Sequence, residues 1–200
     1  HGARLSEARD MAVEALRLVQ LPNPETMVDY YPHQLSGGMR QRAMIAIAIS
    51  CRPSLIIADE PTTALDVTIQ AQIMQLLGNL SKELGTAMLL ITHNLGLVAE
   101  YCDRVYVMYA GQIVEEAGVF EIFKSPQHPY TAALLDCNLM LDRRTEEFKT
   151  IKGRPPSRVQ LPTGCRFHPR CTQVMSNCAS TISSLNKLEN GGQARCLLYG

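Results

Sequence analysis

Neither sign of charge is in excess in this sequence. Its 200 residues carry 19 Lys and Arg against 19 Asp and Glu, a formal net charge of zero. That balance excludes the basic footprint of a nucleic-acid binder and the polybasic surface of a protein held by anionic lipid. No apolar run approaches the ~18 residues of a membrane span, and no leader of the secretory type opens the chain. The chain therefore reads as soluble, and a link to a membrane would come through a partner. Also missing is the G-x-x-x-x-G-K-S/T loop whose backbone cradles phosphates; no Gly-Lys pair occurs anywhere. The first residue is His1 rather than Met, which points to a fragment or a processed product.

What is present centres on Leu35 to Asp66, LSGGMRQRAMIAIAISCRPSLIIADEPTTALD. Ser36-Gly37-Gly38 opens a helix. A helix N-terminus carries unpaired N–H groups and partial positive charge, so it can hold a phosphate. The two glycines allow close backbone approach, and Ser36 can cap the helix or donate to an anion. The apolar run Leu55-Ile56-Ile57-Ala58 reads as a buried strand ending on Asp59-Glu60. Two carboxylates at the carboxyl edge of a parallel sheet stand where open α/β folds bind ligands. One can hold Mg²⁺ while its neighbour orients or deprotonates a water. A Pro61-Thr62-Thr63 turn then leads to Asp66. Capped helix, core strand and turn account for the fold, but not for Asp59 and Glu60 standing together after a buried strand.

On either side the periodicity is regular. Residues 5–20 predict an amphipathic helix with Ser6 as its cap and Ala8, Met11, Ala12, Ala15, Leu16 and Val19 on its apolar face. The Ile/Ala alternation of 45–49 predicts a helix buried all round, from about Gly38 to Cys51. Residues 67–84 predict a helix closed by Gly85. Ala87 to Ile91 predicts a second buried strand, ending at Thr92-His93-Asn94, with a short helix over 95–101. Strands alternating with helices between 54 and 100 argue a parallel sheet. Strands at 105–109 and 112–116 flank an Ala110-Gly111 turn, and short helices follow to 124 and over 130–139. The chain divides into a helical segment, 1–50, a core segment, 51–140, and a linker with a Cys-rich extension, 141–200.

Seven cysteines are many for such a chain. Cys51, Cys102 and Cys137 sit alone and read as small core residues. Cys165, Cys171, Cys178 and Cys196 follow a C-x5-C-x6-C-x17-C spacing in a loop-rich tail. Four thiolates there can hold a metal that replaces a hydrophobic core. Zinc sites usually pair cysteines closer than this. The longer spacing suits a 4Fe–4S cluster. Zinc, free thiols or a disulfide are the alternatives, and His168 is a competing ligand.

Leu35-Ser36-Gly37-Gly38-Met39, the strand Leu55 to Glu60, the turn Ala64-Leu65-Asp66 and His93, in this order, closely resemble the ATPase subunit of ABC transporters. The tail adds a second resemblance. Ser125-Pro126-Gln127-His128-Pro129-Tyr130-Thr131, Gly153-Arg154-Pro155-Pro156 and Gly164-Cys165-Arg166-Phe167-His168-Pro169-Arg170-Cys171 are similar to the C-terminal extension of oligopeptide/dipeptide permease ATPases, which nickel importers share in part. The resemblances imply a P-loop NTPase-type α/β fold with a helical subdomain and a small Cys-rich extension. They imply ATP and Mg²⁺, Glu60 as the catalytic base, His93 as the switch histidine and Asp59 toward Mg²⁺. Ser36 to Met39 would meet a nucleotide held by a second ATPase subunit, and Asp66 would belong to the D-loop. Met39 replaces the usual Gln and Asn94 the usual Asp. Two membrane permease subunits, indirectly a substrate-binding protein, and a place on the cytoplasmic face of the inner membrane are implied as well. A cytosolic setting disfavours a disulfide. The missing phosphate loop would precede His1 in the family, so the resemblance implies truncation, with a degenerate paralogue as the alternative. A nickel importer, a non-transport ABC ATPase and a non-catalytic metal-binding module are the other functional readings.

Overall fold

A computed structural model describes residues 2–63, 65–139, 150–157 and 159–200. His1 and Ala64 of the expected D-loop lie outside the described residues. The chain divides into two compact units, 1–97 and 98–200.

In the first unit, helix α1 (Leu5–Leu18) begins two residues earlier than a Ser6 cap would place it. Arg4 takes the cap position, and its N–H donates to the Glu7 carboxylate at 2.9 Å. Ala15, Val19 and Leu21 are buried, whereas Met11, expected on the apolar face, is exposed. After the single turn α2 (Pro24–Met27), helix α3 (Gly37–Ile49) is capped by Ser36, whose Oγ accepts the Met39 N–H at 3.3 Å. The Arg42 guanidinium donates to the Val19 carbonyl at 2.7 Å and so ties α3 to the end of α1. α3 is not buried all round. Ile45, Ala46 and Ile49 are inside, while Met44 and Ile47 are exposed. An Ile/Ala alternation is apolar on every face, so composition alone does not say which face is covered.

Strands β1 (Leu55–Asp59) and β2 (Ala87–Ile91) pair in parallel, Leu55 opposite Ala87 through Asp59 opposite Ile91. Among the described residues they pair only with each other. This corrects the expectation of two buried strands. Side chains alternate across a sheet, and only Ile56 and Ala58 are buried on β1; Leu55, Ile57, Leu89 and Ile91 are exposed. Between the strands runs α4 (Val67–Leu84), which buries Ile73, Met74, Leu76, Leu77 and Leu80. Gly85 closes it at φ 62°, a left-handed cap that suits glycine. Thr86 Oγ1 then donates to the Pro53 carbonyl at 2.9 Å, setting β2 beside β1.

Helix α5 (Leu95–Tyr101) leads into the second unit. There β3 (Arg104–Tyr109) and β4 (Gln112–Gly118) form an antiparallel hairpin. Its turn residues Ala110 and Gly111 both have positive φ, 47° and 77°, the twist that a two-residue hairpin turn needs. Helices α6 (Val119–Lys124) and α7 (Pro129–Leu139) follow. Two short strands from the tail, β5 (Asn186–Lys187) and β6 (Gln193–Ala194), complete a sheet of order β3-β4-β6-β5. The lone cysteines are not core residues: Cys51 is exposed, and Cys102 and Cys137 are half-buried.

Candidate nucleotide-hydrolysis site and thiol cavity

The end of β1 turns sharply. Glu60 sits at φ 43°, a left-handed conformation costing a non-glycine residue about 1–3 kcal/mol. Its N–H donates to the Ile91 carbonyl at 2.9 Å, which pins the turn to the end of β2. Both carboxylate oxygens of Glu60 are engaged. Oε1 lies 3.0 Å from His93 Nδ1, and Oε2 accepts the Thr63 hydroxyl at 2.9 Å. The His93 bond first, and the Thr63 bond second, hold the Glu60 carboxyl below the usual carboxylate range. The pair is open to solvent: the side chains of His93 and Glu60 are 84% and 47% exposed. Asp59, the preceding residue, is exposed at the last position of β1.

A second group forms at the two helix starts. Asp66 caps α4, its Oδ1 accepting the Ile69 N–H at 2.9 Å. A Cβ added at Gly38 would stand 3.1 Å from Ile69 Cγ2, and one at Gly37 would stand 3.8 Å from Leu65 Cδ2. Gly38 thus lets the start of α3 approach the first turn of α4, whereas a Cβ at Gly37 would make only ordinary contact. Gln70, which no sequence signal marked, donates through its amide to the carbonyls of Thr62 and Leu65 at 3.2 and 2.9 Å, bracing the turn before α4. Beyond His93, Asn94 Oδ1 accepts the Gly96 N–H at 2.9 Å. That capping role is one an Asp could fill equally.

In the second unit Cys165, Cys171, Cys178 and Cys196 line one cavity together with His128 and His168. None of the four is in a disulfide. Cys171 Sγ accepts the Gln173 N–H at 3.3 Å and Cys178 Sγ the Met175 N–H at 3.4 Å. Burial pushes the Cys171 and Cys196 thiols up. His168 Nδ1 lies 2.8 Å from the Cys165 carbonyl, which can only accept, so this nitrogen carries the proton. Nevertheless, among the described residues no three His, Cys, Asp or Glu side chains are gathered as a metal-holding group. The four cysteines expected as metal ligands line one cavity without forming such a group.

Comparison with known proteins places this geometry. Residues 4–63, which hold the glycine-opened helix α3 and strand β1, match the ABC transporter family. The chain also matches the oligopeptide/dipeptide transporter C-terminal region, at residues 114–178. It is 52% identical over 193 residues to the oligopeptide transport ATP-binding protein AppD of Bacillus subtilis (strain 168), covering 96% of this chain and 59% of that protein. It is 48% identical over 195 residues to the dipeptide transport ATP-binding protein DppD of Escherichia coli (strain K12), covering 98% and 60%. The chain therefore spans about three fifths of the length of these relatives. Among solved structures, the dimeric post-hydrolysis state of the ATP-binding cassette MJ0796 bound to ADP and Pi matches with a TM-score of 0.51 and 33% identity. The match covers 60% of this chain and 50% of that one. The fold is the α/β fold of ABC ATPases.

Proposed function

We propose that this chain is part of the ATP-hydrolysing subunit of a di- or oligopeptide importer. The observation that carries the reading is the Glu60–His93–Thr63 corner at the ends of β1 and β2. A carboxylate there is in the position to orient a water and take its proton. In the described geometry His93 and Thr63 occupy both of its oxygens and weaken it as a base. When His93 turns to a γ-phosphate, Oε1 is freed and Glu60 becomes the stronger base. Asp59 would hold Mg²⁺, which supplies charge neutralisation at the phosphates. Ser36, Gly37, Gly38 and Met39 would offer the start of α3 to a nucleotide on a second ATPase subunit. Asp66, already committed to capping α4, would set the turn that lies between them.

The supporting names are those of the relatives, which are called oligopeptide and dipeptide transport ATP-binding proteins. Two membrane permease subunits and a peptide-binding protein would complete the importer, with this subunit on the cytoplasmic face of the membrane. Among the described residues no helix is long and apolar enough to cross a membrane. These 200 residues hold no phosphate loop, so the test uses a chimera with the N-terminal part of the Bacillus subtilis relative fused ahead of this segment. The chimera should hydrolyse Mg-ATP, and Glu60→Gln should bind ATP without turnover. Steady-state hydrolysis by that variant within a few-fold of the parent would remove Glu60 as the base.

The second part of the reading concerns the tail. Cys165, Cys171, Cys178 and Cys196 would hold a 4Fe–4S cluster, supported by their common cavity and by the N–H groups aimed at two sulfurs. Metal analysis of protein purified without oxygen should find about four iron per chain. One zinc and no iron would replace the cluster with a zinc site.

A further inference from the structure

The two side chains that hold the Glu60 carboxylate are not themselves held alike. His93 stands in the link between β2 and α5, 33 positions from Glu60, with its side chain 84% exposed. The link is tied by Thr92, whose Oγ1 accepts the Asn94 N–H at 3.0 Å, and the His93 ring reaches out of it into solvent. Thr63 stands three positions from Glu60, in the same turn. That turn is fastened at both ends. At its start the Glu60 N–H is pinned to Ile91 O, and the Thr63 N–H donates back to the Glu60 carbonyl at 3.1 Å. Pro61 and Thr62 between them are buried, and Pro61 fixes its own φ. At its end the Leu65 N–H donates to the Thr62 carbonyl at 3.3 Å, and Gln70 grips the carbonyls of both residues.

The Thr63 backbone is therefore set, and its β-branched side chain has few rotamers to choose from. Against an ionised carboxylate the hydroxyl can only donate, and such charge-assisted bonds are the stronger class. The terminal torsion of a glutamate is otherwise broad. A carboxylate held at one oxygen by a fixed donor keeps its plane when the other donor leaves. One held by His93 alone would turn freely once His93 turned away. Losing the Thr63 bond would have two opposed effects, since it would also make Glu60 the stronger base. Alignment outweighs strength. A misplacement of about 1 Å costs on the order of 10²-fold. One neutral donor changes base strength by roughly fivefold, and only part of that reaches the rate.

We infer that Thr63 is the positioning residue of Glu60: its hydroxyl holds Oε2 through the hydrolytic step and leaves Oε1 as the oxygen that takes the proton from water. The inference rests on the proposed reading of Glu60 as the base. The water loses its proton to Oε1 as its oxygen bonds to the γ-phosphorus. The bond from that phosphorus to the bridging oxygen breaks, with its electron pair left on ADP. Thr63 keeps its own proton throughout. His93 is the partner that leaves, and Thr63 is the partner that stays.

The experiment uses the same chimera, with Thr63→Val and Thr63→Ser in the parent and Thr63→Val also in the Glu60→Gln background. Valine keeps the branched shape without the hydroxyl, and serine keeps the hydroxyl. Thr63 is exposed, so neither should move the urea midpoint. Thr63→Val should lower kcat for Mg-ATP about tenfold or more, with KM changed by less than about twofold. Thr63→Ser should recover most of that loss. On Glu60→Gln, Thr63→Val should cause no further loss, because the carboxylate it aligns is already gone. Thr63→Val at parent turnover or above, or Thr63→Ser as impaired as Thr63→Val, would overturn the inference and, with Glu60→Gln inactive, leave the base reading standing. An equal further loss on Glu60→Gln would also overturn it, since Thr63 would then act without Glu60. Parent-like turnover by Glu60→Gln itself would overturn the base reading and the inference with it.

Discussion

Each unit of this protein holds one glutamate beside one histidine, and the two pairs are opposites. Glu60 and His93 meet side chain to side chain in solvent, 3.0 Å apart. Glu115 and His128 are each 1% exposed and meet differently. Glu115 accepts backbone N–H bonds from Gln127 and His128 at 2.7 and 2.8 Å, just before α7 begins. His128 Nδ1 accepts the Tyr130 N–H at 3.0 Å, so its ring is held neutral. A carboxylate whose partners are exposed side chains can exchange them for a ligand. One whose partners are buried main-chain groups cannot let go without opening the fold. The first pair suits chemistry and the second suits architecture.

The sharpest break of this contrast is at Glu60. In the chimera, Glu60→Gln should lower ATP turnover by roughly 10²–10⁴-fold, the usual contribution of a positioned base, and leave urea unfolding unchanged. His93→Ala should also cost turnover, because the carboxylate loses its gate and the phosphate its contact. Glu115→Ala should do the reverse. Leaving two N–H groups near α7 without their charged acceptor should cost about 3 kcal/mol of stability, read as a lower urea midpoint.

His128 sharpens the same contrast through pH. Burial pulls its pKa from 6.5 down to about 4. A folded-state pKa below the unfolded one means that the unfolded chain binds the extra proton first. His128 thus contributes its full stability above pH 6.5, and that contribution falls away as pH drops from 6.5 toward 4. The loss amounts to as much as about 3 kcal/mol. Urea midpoints across this range should show it, and His128→Phe should flatten it. The smallest effect lies at Gln70. Gln70→Ala should cost about 1 kcal/mol through its two carbonyl bonds, with a modest loss of turnover as the turn before Asp66 loosens.

These expectations also mark what the sequence made legible. The order of glycine-opened helix, apolar strand, carboxylate pair and histidine was readable because each is a local pattern. The structure brings Glu60 and His93 into contact as their strand-end positions imply, and Ser36 and Asp66 cap the helices they precede. Burial was read less well. Ile57, Leu89 and Met44 are apolar and exposed, since periodicity identifies an element but not how many of its faces are covered. The tail shows the limit more plainly. The cysteine spacing predicted the ligands of one cluster; the four cysteines line one cavity, but among the described residues they are not gathered as a metal-holding group. It did not foretell Arg170 reaching Tyr109 across 61 positions, or Arg195 reaching Ile113 across 82. Such long-range anchors leave no periodic trace in the sequence.

The central claim is that the exposed pair works and the buried pair holds. It is tested most directly by measuring ATP turnover and urea midpoint together on Glu60→Gln and Glu115→Gln in the same chimera. The account predicts a crossing: Glu60→Gln loses turnover and keeps the parent midpoint, while Glu115→Gln loses midpoint and, at low denaturant, keeps most of its turnover. A Glu60→Gln variant that turns over ATP like its parent, or one that unfolds as early as Glu115→Gln, would contradict it.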